Sequence, residues 1–473
     1  MRGVPGSSPG PPIELPRHAG LGARAAEPAG RALNLLDIGY ALGAGLTAPW
    51  WMRKARSGWA ERFARVVPEM PPKREGRRRI LVHAVSVGEV NALRELVPLL
   101  AREAEVVVTA STDTGLARAR ALFSGDCRVA RFPLDASWAV RRFLDAVRPD
   151  AAALVELELW PNFLRECARR AVPVAVINGR LSERSLRGYR RIRRWISPSF
   201  ASLAVAAVQD EAYARRFVAM GVPHARCVVT GSMKFDSARI EDEVAGAAAL
   251  GAAMGIDPGR PLIVAGSTGP GEEALLRAAC ERAFGGGAQL LCAPRKPERF
   301  DEAAEALPGC RRRTEPGSGP GAGLFLLDTI GELRQAYSLA DVVVVGRSFF
   351  GQHGSDPIEP VALGKPVVIG PAVSDFREIV RALEQAGGLV RADRVTLAPV
   401  LQELMADPER RRSLGERGRR VIRTLQGASS RHAELLLWLA EAGDRALGGP
   451  PRGVSGTAIP AGADLPSPSA SRA

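Results

Sequence analysis

From Arg79 onward the chain alternates short β-branched apolar runs with segments of helical spacing, and that rhythm constrains the fold more than any other feature. Strands are expected at Ile80–Val87, Glu105–Ser111, Ala151–Val155, Val172–Ile177, Leu203–Gln209 and Cys227–Val229, with helices at Asn91–Glu103 and Asp113–Phe123. An Ala/Gly/Asp/Glu-rich stretch around Ser237–Asp257 reads as a connection. The rhythm then resumes with strands at Leu262–Ala265, Gln289–Ala293, Leu324–Leu327, Val342–Val345 and Pro366–Ile369. Strand–helix alternation of this kind builds βαβ units on parallel sheets. At 473 residues and 46% hydrophobic content, the chain has material for two domains with substantial cores. The expected class is therefore α/β, with two doubly wound domains facing a crevice.

The ends differ in kind. Residues 1–30 and 448–473 are rich in Pro, Gly, Ala and Arg without apolar period and are expected to be disordered. Residues 31–58 hold the apolar run Leu33–Trp51, closed by Trp50 and Trp51 and followed by Arg53, Lys54 and Arg56. Aromatic residues beside cations suit a membrane–water boundary, with the cations on the cytoplasmic side, so this segment reads as a membrane anchor that spans the bilayer or lies in its interface. Packing on the soluble body is the alternative. The domains are then 59–237 in front, a connection at 238–257, and 258–447 behind.

A formal charge of +14 suits an anionic partner, such as phospholipid headgroups, a phosphorylated glycolipid or nucleic acid, and equally marks an arginine-rich proteome. Few aromatics lie among the arginines and no nucleic-acid module is recognisable, which argues against nucleic acid. The 6 cysteines are scattered without Cys-x-x-Cys pairs, so reduced, mostly buried thiols are expected. No His/Asp/Glu set has metal-ligand spacing, and no Gly-x-x-x-x-Gly-Lys-Ser/Thr loop is present. Catalysis without a bound metal or cofactor is the expectation.

Candidate chemistry sits where strands run into helices. Glu89 closes Ser86-Val87-Gly88-Glu89 next to a helix N-terminus, a placement that favours the ionised form and suits a base; first-turn capping is the alternative. Glu156 and Glu158 follow another strand, on one face by alternation. They are suited to orienting a substrate amine or hydroxyl, or to binding an arginine such as Arg180. In the second half, Gly266-Ser267-Thr268 precedes a helix start at Pro270-Gly271-Glu272 and offers amides and hydroxyls to a phosphate. Arg295 offers a planar bidentate donor for phosphate or a base edge. Glu359, in a first helical turn, is placed to accept ribose hydroxyls or to cap its own helix.

Taken together, these motifs resemble the 3-deoxy-D-manno-octulosonic acid (Kdo) transferases that glycosylate lipid A precursors. Nine stretches carry the likeness in order: His83–Glu89, Glu156–Asn162, Asn178–Ser182, Gln209–Glu211, Gly231–Asp236, Ala265–Glu273, Pro294–Phe300, Asp328–Leu333 and Pro357–Gly370. The resemblance implies the GT-B fold, with the acceptor lipid on the N-terminal domain and CMP-Kdo on the C-terminal one. It implies Glu89 as general base, with Glu156 and Glu158 beside it. Gly266, Ser267, Thr268, Arg295, Ile330, Gly331, Asp356 and Glu359 would then line the donor site, and transfer would invert the anomeric centre. Arg180 and the basic segment containing Arg187, Arg190 and Arg191 would meet lipid A phosphates or inner-membrane phospholipids on the cytoplasmic face.

One stretch departs from the family pattern. Gly-Gly-His-Asn-Pro-Leu-Glu-Pro is usual where this chain has His353-Gly354-Ser355-Asp356-Pro357-Ile358-Glu359-Pro360, so Ser355 replaces the His and Asp356 the Asn. A carboxylate beside a donor phosphate needs protonation or a partner, for which Arg347 and Lys365 are the candidates. A different activated acidic sugar, or a membrane-docked nucleotide-binding module without turnover, are the competing functions. A nicotinamide-dependent oxidoreductase lacks its Gly-x-Gly-x-x-Gly after the first strand.

Overall fold

The computed structural model describes residues 57–315, 323–448 and 457–458. The N-terminal tail and all of the anchor segment except Ser57 and Gly58 lie outside the described residues, as does the C-terminal tail apart from Gly448, Thr457 and Ala458. Among the described residues no helix is long and apolar enough to cross a membrane.

The alternating pattern folds into two sheets. Strands β1 (Arg79–Ala84), β2 (Glu105–Ala110), β3 (Arg128–Arg131), β4 (Ala151–Val155), β5 (Val174–Gly179), β6 (Val205–Val208) and β7 (Cys227–Val229) are all parallel, in the spatial order β7-β6-β5-β4-β1-β2-β3. Strands β8 (Leu262–Thr268), β9 (Gln289–Pro294), β10 (Arg311–Arg312), β11 (Leu324–Leu326), β12 (Val342–Val345), β13 (Val367–Ile369) and β14 (Val390–Arg391) form the second sheet, ordered β10-β11-β9-β8-β12-β13-β14. The short β15 (Thr457–Ala458) adds antiparallel to β7.

Period-two alternation divides each strand between two helical layers. Ile80, Val82 and Ala84 of β1 enter the core beneath helices Val87–Ala92, Leu96–Glu103, Asp113–Phe123 and Ala428–Ala442, while Leu81 enters the core on the opposite face. Helices Ser137–Val147, Pro161–Arg169, Arg193–Ala201 and Glu211–Met220 cover that second face. The rear sheet is sandwiched in the same way.

Packing redraws two expected boundaries. The stretch read as a connection contains the helix Ala247–Met254, whose Ala247, Leu250 and Met254 are buried at helical spacing. Leu250 and Met254 join Ala336, Tyr337 and Ala340 in the rear core, so 247–254 belongs to that lobe. Conversely, the helix Ala428–Ala442, assigned by position to the rear domain, packs on the front one. Its Leu435, Leu436 and Leu439 are fully buried among front-lobe side chains, each contributing on the order of 2 kcal/mol. Asp236 fastens its start by accepting hydrogen bonds from the Gly427 and Ser429 amides.

Parallel strands present their carboxyl ends on one rim. Strand order reverses between β1 and β4 in front and between β8 and β12 behind, and these switch points are where open α/β sheets bind ligands. Of the expected site residues, Glu89, Glu156, Glu158, Asp356 and Glu359 follow those strands, Gly266, Ser267 and Thr268 end β8, and the others follow β5, β9 and β11.

Candidate active site

At the front switch point three carboxylates meet. Ser86 caps the helix Val87–Ala92, its Oγ accepting from the Glu89 amide at 3.4 Å. The Glu89 carboxylate reaches back over that cap, accepting 2.8 Å bonds from the Val85 amide and the Ser86 hydroxyl. Burial raises its pKa, partly offset by those bonds and reinforced by Glu156. Glu89 thus takes part in the cap of its own helix, and burial outweighs the helix end expected to favour the ionised form.

Strand alternation does not place Glu156 and Glu158. The strand β4 stops at Val155, and Glu156 takes the left-handed conformation, φ 60°, in the turn that follows. The turn still directs all three carboxylates together: burial first, then the charges of Glu89 and Glu156, push Glu158 up to about 7. Arg180, after β5, faces Glu156, and its Nε lies 3.3 Å from the Tyr213 hydroxyl. Glu378, in the first turn of the rear-lobe helix Arg377–Gln385, faces both Arg180 and Tyr213, so the two lobes meet electrostatically at this point.

The basic segment lies beside this cluster. Tyr189, in helix Glu183–Arg191, faces Glu158. Arg184, Arg187, Arg190, Arg191, Arg193 and Arg194 are exposed, and among the described residues none is paired with a carboxylate. Ile192 and Trp195 project among them, 48% and 83% exposed.

The rear switch point distributes its expected residues between packing and the crevice. Gly266 lies against the Tyr337 ring, whose hydroxyl leaves no room for an added Cβ. The Thr268 hydroxyl is fully buried and donates to Glu273 at 2.6 Å, so it is not free for a phosphate. Glu273 also binds Arg299. The carboxylate of Glu272 accepts from the amides of Gly269, Arg347, Ser348 and Phe349, an anion cradle filled by the protein's own side chain. Ser267, at φ 57°, accepts a 3.4 Å bond from the Ser355 hydroxyl through its carbonyl.

Arg295 is exposed after β9, and Asp356 faces both it and Lys234. Asp356 is exposed and accepts a 2.9 Å bond from the Ile358 amide; desolvation raises its pKa, while that bond, Lys234 and Arg295 lower it. The partners considered from sequence are engaged elsewhere: the Arg347 guanidinium donates to the Gln352 carbonyl, and Lys365 faces Asp341. Glu359 is half-exposed 3.7 Å from Arg334; burial raises its pKa, Arg334 lowers it and Asp356 raises it. Ile330 is 72% exposed, and Gly331 has φ 102° in the turn beyond β11. The sequence reading gives Lys234 no role and does not single out Tyr189, Tyr213 or Glu378. Their signal is tertiary, since each gains its place from an element remote in sequence.

Comparison with known proteins fixes the family. The family described as 3-Deoxy-D-manno-octulosonic-acid transferase (kdotransferase) matches residues 57–237. The 3-deoxy-D-manno-octulosonic acid transferase of Bordetella pertussis is 35% identical over 418 residues, covering 82% of this chain and 94% of that protein. Its namesake in Haemophilus influenzae is 30% identical over 369 residues, covering 76% and 86%. A glycosyltransferase structure from Rickettsia africae superposes with a TM-score of 0.54 at 8% identity over 77% of this chain and 98% of that one, a likeness of fold that resembles the GT-B arrangement. The chain belongs to the 3-deoxy-D-manno-octulosonic acid transferase family, and is a glycosyltransferase.

Proposed function

We propose that this enzyme transfers Kdo from CMP-Kdo to a hydroxyl of a lipid A precursor, inverting the anomeric centre without a metal or cofactor, in lipopolysaccharide biosynthesis at the cytoplasmic face of the inner membrane. The observation that carries the reading is the placement of charge: three carboxylates, in no salt bridge among the described residues, group after β1 and β4, whereas at the rear switch point Lys234 and Arg295 face Asp356 and offset its charge. An inverting transfer needs a base on one face of the sugar and a stabiliser of the departing phosphate on the other.

In the reaction, the acceptor oxygen forms a bond to the anomeric carbon as its proton passes to Glu89. The bond from that carbon to the phosphate oxygen breaks, and CMP leaves with the electron pair. Burial strengthens Glu89 as a base, and its bonds from Val85 and Ser86 aim the carboxylate. Arg295 and Lys234 balance the growing phosphate charge, with Ser267 beside them, and Glu359 accepts ribose hydroxyls. With Gly266 and Thr268 committed to packing and to Glu273, the cations carry the larger share of phosphate recognition. Arg180 and the exposed arginines of 184–194 receive the acceptor's phosphates and anionic headgroups, each worth roughly 1 kcal/mol near such a surface.

The test is incubation of the full-length protein with labelled CMP-Kdo and a tetraacylated lipid A precursor, followed by mass measurement of the glycolipid. Gain of one or more Kdo units with matching CMP release is expected. CMP release without a heavier glycolipid would refute the acceptor, and transfer only from another activated acidic sugar would refute the donor.

A further inference from the structure

Three aromatic rings are stacked at the surface of the front lobe, away from its core. Trp59 and Phe63 lie 5.8 Å apart between ring centroids, and Phe63 and Trp138 lie 5.9 Å apart with their planes only 9° from parallel. Trp59 is 44% exposed and Trp138 40%, and Val66 and Val67 extend the apolar surface. Arg65 sits over Phe63 and Arg142 over Trp138, each at 5.9 Å; both arginines are exposed, and among the described residues neither is paired with a carboxylate.

Beneath this ladder the backbone is clamped. Asp113 accepts from the Ser57 amide at 3.1 Å, from Arg62 at 3.1 Å and from Arg131 at 2.6 Å. The bond from Ser57, then those from Arg131, hold its carboxyl down to about 2. Arg131 also binds Glu61 at 2.9 Å, and Arg62 donates to the carbonyls of Ser57 and Ser111. Ser111 and Asp113 follow β2, and Arg131 ends β3. The clamp therefore ties residues 57–63 to the strand-end rim from which Glu89 and Glu156 also project.

We propose that the Trp59–Phe63–Trp138 ladder seats in the headgroup–acyl boundary of an anionic bilayer, and that the clamp makes it a rigid foot setting the acceptor side of the active site against that surface. Stacked indoles flanked by unpaired arginines have the composition of an interfacial belt. Their charge complements anionic headgroups, and Ser57 follows the apolar run Leu33–Trp51 and its basic residues within six positions. The inference rests on the membrane reading above and extends it to a surface outside the basic segment 184–195.

The experiment uses the full chain carrying Trp59→Ala and Trp138→Ala together, with Trp59→Phe and Trp138→Phe together as the conservative pair. Transfer is measured with one acceptor presented in phosphatidylglycerol/phosphatidylethanolamine vesicles or dispersed in detergent, alongside sedimentation of the protein with the vesicles. The alanine pair is expected to lose about fivefold or more of the vesicle rate, equivalent to roughly 1 kcal/mol of interfacial contact, while its detergent rate stays within about twofold and the phenylalanine pair recovers. An unchanged vesicle rate, as for a ladder that serves a protein partner, would overturn the proposal. So would equal losses in vesicles and detergent. Wild-type protein left in the supernatant would remove the membrane reading itself, whereas sedimenting wild type with an indifferent alanine pair would remove only the ladder.

Discussion

Glu158 is held at a cost to folding, because its carboxylate is buried among two others. Its pKa moves from an ordinary 4.5 up to about 7 through burial and the charges of Glu89 and Glu156. A carboxyl whose folded pKa is raised binds its proton more tightly in the native state, so stability falls as pH rises from about 4.5 to about 7 and the cost is complete above that. Glu158→Gln should therefore raise the melting temperature at pH 8 and flatten this part of the profile, as calorimetry across pH would read; an unchanged profile would remove the cluster's electrostatic account. His83 and His432 act at the other end. Burial lowers both to about 3 from 6.5, so their contribution is lost as pH falls below 6.5. At this scale the sequence was legible where a local pattern carried the chemistry: Ser86-Val87-Gly88-Glu89 marks a strand end, a cap and a carboxylate at once. It was not legible where a distant element decided, since Thr268 reads as a phosphate donor until Glu273, itself held by Arg299, is seen to accept its hydroxyl.

Elements were legible in proportion to their apolar continuity. The strands β4, β7 and β12 occupy the residues their continuous apolar runs predict, because strands buried on both faces leave little choice. The strand β3 is read past because Arg128 and Arg131 bracket it; Arg131 is buried only because Asp113 and Glu61 receive its charge. The helix Ala247–Met254 is hidden by its five alanines and Gly251, since only Leu250 and Met254 carry it into the rear core. The rear switch point depends on another such contact: Glu272 ties the start of one helix to the loop after β12 through the amides of Gly269, Arg347, Ser348 and Phe349. Removing that acceptor strands buried donors, each costing about 1–3 kcal/mol. Glu272→Ala should lower stability by roughly 3 kcal/mol or more in a urea titration, and donor affinity should fall with it; a loss under about 1 kcal/mol would show that the loop satisfies itself. Gly346 marks the same crossing, since an added Cβ would meet the Thr268 Cα at 2.6 Å.

The described body closes on its front lobe through the helix Ala428–Ala442. Two α/β lobes were legible from repeated rhythm, but the return of 428–442 to the front lobe was not, because nothing in an amphipathic helix names the surface it will cover. A fragment of residues 57–237 would expose the faces that Leu435, Leu436 and Leu439 bury. It should aggregate when expressed alone and become soluble when co-expressed with a segment spanning 423–448; a soluble, cooperatively unfolding fragment would contradict the packing account. In the proposed reaction, lobes joined in this way hold Glu89 and the Lys234–Arg295 pair for opposite sides of one sugar. The most direct measurement of that claim is Kdo transfer by Glu89→Gln under single-turnover conditions, with CMP binding followed in parallel by calorimetry. The account predicts transfer slowed by about 100-fold or more with CMP affinity changed by less than about threefold. Transfer at the wild-type rate, or loss of CMP binding together with transfer, would contradict it.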